Sequence, residues 1–474
     1  MFKKDLILSL FMKILGLFMG LIISIIMARV LGIASFGDYS LAFTWINVIV
    51  LIAIAGNTEN ILRQTPRNTK QYIMSLSKVV KRQSLLFYVI FGLSFYTIIS
   101  QSNIDSYSST SFRISYFLAF IYGLLNVPNR IVQSSVTGNY LNYVVSRINL
   151  LYTPLSKFIF IVIIYWLTKN KYAVIASIFL AEFVAYVIYH QTYKKVYHGI
   201  LEHLTMSRKP IVNIYFMVIS ISYMLLSISD RIMLSFWLPI DEIGGYTAAT
   251  RISNTVMVFC VGFLPFLPKI SELYHNNNIK TLEASFLVIT KLISVFTFPL
   301  VIYLVIYADH LLNLFGQRFS SYAIIVAILV LGKMFDAVTG PAGSLLSMTK
   351  FEKYDMRLIL AMSIINIIMN ALFIPRFGAI GAAISTFIST SIVQIIIIVI
   401  AGRVISIKTY SLNHFIMFVL FLILLSSNYL IKQIYHPDIF YSIFILVINY
   451  IIFIGLTLMF NIIKTNDIKN MLRG

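Results

Sequence analysis

Apolar runs of roughly 20 residues recur from one end of this chain to the other, the length a helix needs to cross about 30 Å of hydrocarbon. Only 11% of the 474 residues are charged and 59% are hydrophobic, where an ordinary soluble domain is about one quarter charged. The pattern therefore predicts an all-α integral membrane protein. Fourteen spans are expected, roughly at 6–31, 39–60, 84–100, 114–136, 143–167, 172–192, 211–238, 246–268, 284–307, 320–346, 356–375, 379–402, 412–431 and 439–463. The third is short and the tenth polar, so twelve or thirteen stay open. The basic, apolar start could be read as a signal peptide, but its apolar stretch is too long and Lys13 interrupts it. A retained first helix is the expectation.

The single cysteine, Cys260, falls inside a span, which leaves no disulfide framework and no cysteine metal site. The seven histidines show no ligand spacing, so neither a metal nor a cofactor is expected. The formal net charge is +20. With the N-terminus inside, cytoplasmic segments hold 23 Lys and Arg against seven outside: Arg29, Arg113, Lys169, Lys171, Arg318, Arg376 and Lys432. By the positive-inside rule both termini face the cytoplasm. The charge is mostly a topology signal. No loop forms a basic module large enough to bind nucleic acid.

Seven cations remain within predicted spans: Lys13, Arg130, Lys157, Arg231, Arg251, Lys291 and Lys333. Facing lipid, each would cost on the order of 3 kcal/mol. They must line a protein interior or watery cavity, or snorkel from helix ends. Acids within spans are fewer: Asp230, Asp336, Glu182 and arguably Glu59. The interior is expected to be net positive. Asp230 and Arg231 are adjacent but project about 100° apart around a helix, so they need not pair with each other.

The chain repeats itself. "FGDYSLAFTW" and "IGGYTAATRI" share Gly37/Gly244, Tyr39/Tyr246 and Ala42/Ala249 at a constant offset of 207 residues. Six helices separate the copies, so they are parallel repeats, with substrate expected between two lobes near the midplane. The domains expected are an N-lobe over 1–200, a C-lobe over 201–405, and two extra helices over 406–474. Polar residues follow helical stripes, such as Asn126, Arg130, Ser134 and Thr137 in the fourth span. Small residues in such stripes serve packing; a charged residue is not needed for packing. Pro128, Pro154, Pro265, Pro299 and Pro341 interrupt spans, as static kinks or as hinges for a rocking motion.

Three stretches carry a resemblance. "ARVLGIASFGDYSLAF" (28–43), "DRIMLSFWLPIDEIGGYTAATRI" (230–252) and "NIIMNALFIPRFGAIGAAIST" (366–386) resemble, in order, signature segments of polysaccharide exporters of the MOP superfamily. The nearest branch is the Wzx-type O-antigen and capsule repeat-unit flippases; lipid II flippases and MATE drug exporters resemble the chain less. The resemblance covers residues 1 to about 403. It implies a flippase that turns undecaprenyl-diphosphate-linked oligosaccharide from the inner to the outer leaflet of a bacterial inner membrane, working as a monomer beside a polymerase and a chain-length regulator.

On that reading Lys13, Arg130, Arg231, Arg251, Lys291 and Lys333 bind substrate, while Asp230, Asp336 and Asp38 couple or orient. Arginine grips phosphate bidentately and lysine acts as a point charge. A drug–cation antiporter would need the opposite charge balance. An enzyme such as a polymerase would need a sizeable external loop with catalytic groups, and the longest here, "QSNIDSYSSTSF", has one acid.

Overall fold

The computed structural model describes residues 2–54, 56–65, 69–101, 104–139, 141–199, 214–261, 267–340, 342–349, 351–435 and 437–462. Every regular element among the described residues is helical, which pairs each backbone N–H and C=O inside its own segment, as hydrocarbon requires. Two compact units divide the chain, Met1–Thr247 and Ala248–Gly474.

The first unit holds α1 (Phe2–Ile54), α2 (Asn57–Gln64), α3 (Lys70–Ser100), α4 (Asp105–Ser108), α5 (Thr110–Gly138), α6 (Asn142–Arg147), a π turn (Ile148–Tyr152), α7 (Thr153–Thr168), α8 (Lys171–Val196), α9 (Ile214–Trp237) and the start of α10 (Ile240–Ser253). A straight helix as long as α1, 53 residues, would measure about 80 Å at 1.5 Å per residue. It breaks at Gly32, where φ is 75° and ψ 167°, a left-handed φ that glycine alone adopts cheaply. The first and second predicted spans are the two arms on either side of that glycine. The third predicted span, read from 84, is instead part of a helix that begins at Lys70, with the Thr69 side chain capping Tyr72 N–H. Hydropathy misses the first half because Lys78, Lys81 and Arg82 dilute it, although nothing in it breaks a helix.

The sequence copies divide near residue 200, yet the first compact unit runs on to Thr247. α9 packs against α1, and the second arm of α1 also comes close to α10. A Cβ on Gly37 would lie 2.3 Å from the Ile240 carbonyl oxygen, and one on Gly244 would lie 2.2 Å from that of Ile33. Ile33/Ile240 and Gly37/Gly244 are both 207 positions apart, and so are Ser40 and Thr247, whose hydroxyls meet at 2.8 Å. A contact in which each residue meets its partner's counterpart is the mark of a local two-fold axis.

The second unit continues α10 and adds α11 (Val258–Val261), α12 (Leu267–His275), α13 (Ile279–Ile306), α14 (Ala308–Phe315), α15 (Ala323–Val338), α16 (Ala342–Ser347), α17 (Glu352–Ile405), α18 (Leu412–Tyr435) and α19 (Ile439–Met459). The 54 residues of α17 break at Gly378 (φ 60°, ψ −140°), again making two arms of two predicted spans. Asn366 on the first arm donates to Thr386 and Ser389 on the second, each at 3.3 Å. The last two helices are joined by the reciprocal amide pair Asn428–Asn449, both bonds 2.9 Å. They are fastened to the unit by His414 to Thr290 at 2.9 Å and by Lys432 to Asp309 at 2.7 Å.

Among the described residues nine segments are long and apolar enough to cross a membrane, and two of these contain the Gly32 and Gly378 breaks. The predicted fourth and seventh spans fall on α5 and α9, and the eighth starts within α10 and runs on through α11; none of these helices is among the nine. The figure of fourteen is therefore not established by length and composition.

Pro128 lies inside α5 and Pro299 inside α13. Pro154 stands just after the π turn that joins α6 to α7 in one continuous helical segment, Tyr143–Thr168. Pro265 and Pro341 lie outside the described residues.

Candidate substrate cavity

Within the first unit α5, α7 and α8 wall a cavity of about 440 Å³. Its lining is polar, with Asn126, Asn129, Arg130, Gln133, Ser134, Asn149, Lys157, Glu182 and two tyrosines, Tyr122 and Tyr189. On α5 the positions 126, 129, 130, 133 and 134 recur at three- and four-residue spacing, so they share one face. A π turn lies inside the helical run between α6 and α7, with the Thr153 hydroxyl donating to the Ile148 carbonyl five residues back at 2.8 Å. Such turns collect at functional sites, and this one carries Asn149 and leads into Thr153 and Lys157 of the wall. Beneath the polar wall Val132, Val136, Val145, Ile148, Ala185 and Tyr189 pack as an apolar cluster that holds α5, α6 and α8 together.

Two charges of opposite sign are linked through one amide. The Arg130 Nε donates to Asn126 Oδ1 at 2.9 Å, and Asn126 Nδ2 donates to Glu182 Oε1 at 3.1 Å. Asn129 Nδ2 reaches the same Oε1 at 2.7 Å. This network fixes the Asn126 amide with its oxygen toward the guanidinium and its nitrogen toward the carboxylate. Arg130 spends only Nε on the link: no described residue accepts from its terminal nitrogens. Those two nitrogens form the fork that matches phosphate oxygens. Burial of Glu182, 6% exposed, is tolerable because two amides hydrogen-bond it.

The other expected site residues stand elsewhere. Asp230 is buried on α9 and accepts from the Tyr246 hydroxyl of α10 at 2.5 Å. Arg231, half-buried next to it, donates to the Ser227 carbonyl one turn back at 3.1 Å. Asp38, 3% exposed, accepts from Ser109 at 3.0 Å, at the entrance to α5 and away from the cavity. The Lys13 side chain lies outside the described residues.

In the second unit Arg251 is exposed on α10, and Lys291 lies half-buried on α13. Lys333 is one turn from Asp336 on α15, and Asp336 accepts from Gln394 of α17 at 2.6 Å. That carboxylate–amide bond repeats the one in the first unit with the partners exchanged. Asn129 and Asp336 are 207 positions apart, and each bonds the helix two spans further on.

Sequence reading found Arg130 and its stripe but not Asn129, Gln133 or Asn149, and it left Glu182 without a role. The usable signal was spacing: an acid in the middle of the sixth span and a second set of amides one position off the chosen stripe. The gathering of α7 and α8 residues around them depends on the π turn, which has no sequence signature of its own.

An apolar helical bundle that walls in amides, a carboxylate and cations has the make-up of a membrane carrier of polar cargo. The chain belongs to the polysaccharide biosynthesis protein family, whose model matches residues 2–274. A relative in Haloferax volcanii, the "Probable low-salt glycan biosynthesis flippase Agl15", is 24% identical over 183 residues, 38% of each chain. The alignments span less than half the length of the curated relatives this chain matches. In fold it is similar to the lipid II flippase MurJ in an inward closed conformation, with TM-score 0.68 and 16% identity over 96% of this chain and 98% of that one. It is also similar to an inward-facing multidrug resistance MATE transporter, with TM-score 0.62 and 16% identity over 82% and 94%.

Proposed function

We propose that this protein turns undecaprenyl-diphosphate-linked oligosaccharide, an O-antigen or capsule repeat unit, from the cytoplasmic to the outer leaflet of a bacterial inner membrane. The observation that carries the reading is the cavity beside Arg130, whose terminal guanidinium nitrogens are turned to no described protein acceptor. A diphosphate is the polar, doubly anionic group that such a fork and a nearby Lys157 suit. Lys13 and Arg251 are further phosphate contacts on the path of the cargo, with both termini cytoplasmic. The two lobes, 1–200 and 201–405, alternate access about the cargo while the helices after 406 stay an appendage, and Pro128, Pro154 and Pro299 flex. A polymerase and a chain-length regulator take the product. The protein carries cargo and performs no chemistry on it.

Moving a diphosphate outward carries negative charge toward the positive side. The membrane potential favours that by about 2.3 kcal/mol per charge per 100 mV, or roughly 4–5 kcal/mol for two uncompensated charges. An obligatory counter-ion is not required, and Asp230 and Asp336 serve to orient neighbours or reset the carrier. In vesicles holding the purified protein and the lipid-linked oligosaccharide, transfer across the bilayer should stop when the potential is dissipated and continue when only the pH gradient is removed. Strict dependence on a Na⁺ or pH gradient at constant potential would replace this mechanism with antiport. Transport of organic cations in place of the glycolipid would overturn the flippase reading itself. In the same assay Lys13→Ala and Arg251→Ala should each abolish transfer while leaving insertion intact; normal rates in both would remove these two residues from the path.

A further inference from the structure

The cavity holds more than a phosphate fork. Both asparagine side chains from α5 donate to one oxygen of Glu182, Oε1. No described residue donates to the other, Oε2. Asn129, 3% exposed and also lining the cavity, keeps Oδ1 without a hydrogen-bond partner. The inner wall therefore carries a carboxylate oxygen to which no described residue donates, with the unpaired amide oxygen of Asn129 packed beside it. An acceptor-only carboxylate oxygen asks for a donor. A phosphate offers only more acceptors and more negative charge, so it is excluded from that wall by like-charge contact.

We infer that the cavity is a two-ended subsite in which Glu182 and Asn129 read hydroxyl groups of the sugar next to the diphosphate, while Arg130 holds the phosphate at the other end. The inference rests on the flippase reading and names what that reading leaves open, the group that separates a glycosylated lipid from the bare carrier. Three features support the sugar end. Gln133, Asn149 and Ser134 add donors and acceptors of both kinds. Tyr122 and Tyr189 give the cavity flat, part-apolar walls. A volume of about 440 Å³ is within the range of pockets that enclose small organic ligands. A site built to bond a hydroxyl discriminates strongly against a ligand lacking it, because its own polar groups are then left unpaired. Glu182 thus acts as a specificity residue. It keeps the carrier from wasting cycles on undecaprenyl diphosphate that has no sugar.

The test compares two substrates in vesicles, undecaprenyl diphosphate carrying the oligosaccharide and the same lipid without sugar. The intact protein should transfer the glycosylated lipid at least tenfold faster. In Glu182→Ala that ratio should fall at least tenfold, mainly through loss of the glycosylated lipid's advantage, whereas Arg130→Ala should slow both lipids alike. Glu182→Gln, which keeps an acceptor oxygen and the side-chain shape, should retain part of the preference and controls for folding, together with the melting temperature of each variant. If the ratio is unchanged in Glu182→Ala and in Asn129→Ala while overall rates fall, Glu182 is structural and the sugar subsite is wrong, with the flippase reading intact. If the intact protein transfers neither lipid, the flippase reading falls first.

Discussion

Replacing Arg130 by alanine is expected to slow transfer of lipid-linked oligosaccharide roughly 10- to 100-fold, the range that follows from losing a charge-assisted hydrogen bond of about 1.5–3 kcal/mol. The guanidinium is tied to the protein by Nε alone, through Asn126, so its removal leaves one amide oxygen to find a new donor. Expression and melting temperature should change little by comparison, since the apolar cluster beneath the cavity is untouched. Arg130→Lys should recover only part of the loss, because an ammonium restores the charge and not the fork. Initial rates in vesicles at matched protein content decide the matter. An alanine variant with the intact protein's rate would remove Arg130 from the transport path.

The second large effect concerns the contact between the second arm of α1 and α10. Ser40 and Thr247 bring their hydroxyl oxygens to 2.8 Å, and cysteines at these two positions lie within reach of a disulfide. In a Cys260→Ser background, Ser40→Cys with Thr247→Cys should crosslink on mild oxidation. If these helices part as the carrier opens to the other side, the crosslinked protein should lose at least 90% of its transfer activity, on the order of a tenfold loss or about 1.4 kcal/mol in rate terms. A reductant should restore it. Efficient crosslinking with undiminished transport would show that the pair stays together throughout the cycle. Asp38→Cys with Gly245→Cys, also 207 positions apart, tests the neighbouring turn in the same way.

Much of this architecture was legible because its causes are local. Helicity and membrane residence follow from apolar runs of span length. The two sharp breaks fall inside the motifs that carry the resemblance, and their physical reason is plain in the structure: Gly32 and Gly378 hold positive φ. The 207-residue offset pointed to a pairing that the Gly37–Ile240 and Gly244–Ile33 approaches make concrete. Glycine there is a matter of clearance between two backbones. What a single stripe could not reveal was which helix its polar face meets: Asn126 and Asn129, within one turn of each other on α5, both bond Glu182 of α8.

Asp230 shows the same limit from the other side. Adjacent charges in an apolar run signalled an interior role, but the partner is the tyrosine of the second Gly-x-Tyr motif, Tyr246, on the next helix. Asp38, expected to couple or orient transport, is hydrogen-bonded to Ser109 at the start of α5. The sequence by itself determined the solvent this chain lives in and its helices, because hydrophobicity acts residue by residue. The tertiary structure alone decided that Arg130, Lys157 and Glu182 line one cavity while Asp38 and Arg231 of the same unit do not. That outcome depends on helix rotation, on a π turn and on backbones drawn together at glycines. Each of these is set by packing between segments far apart in the chain, where a shift of one residue turns a side chain by about 100°.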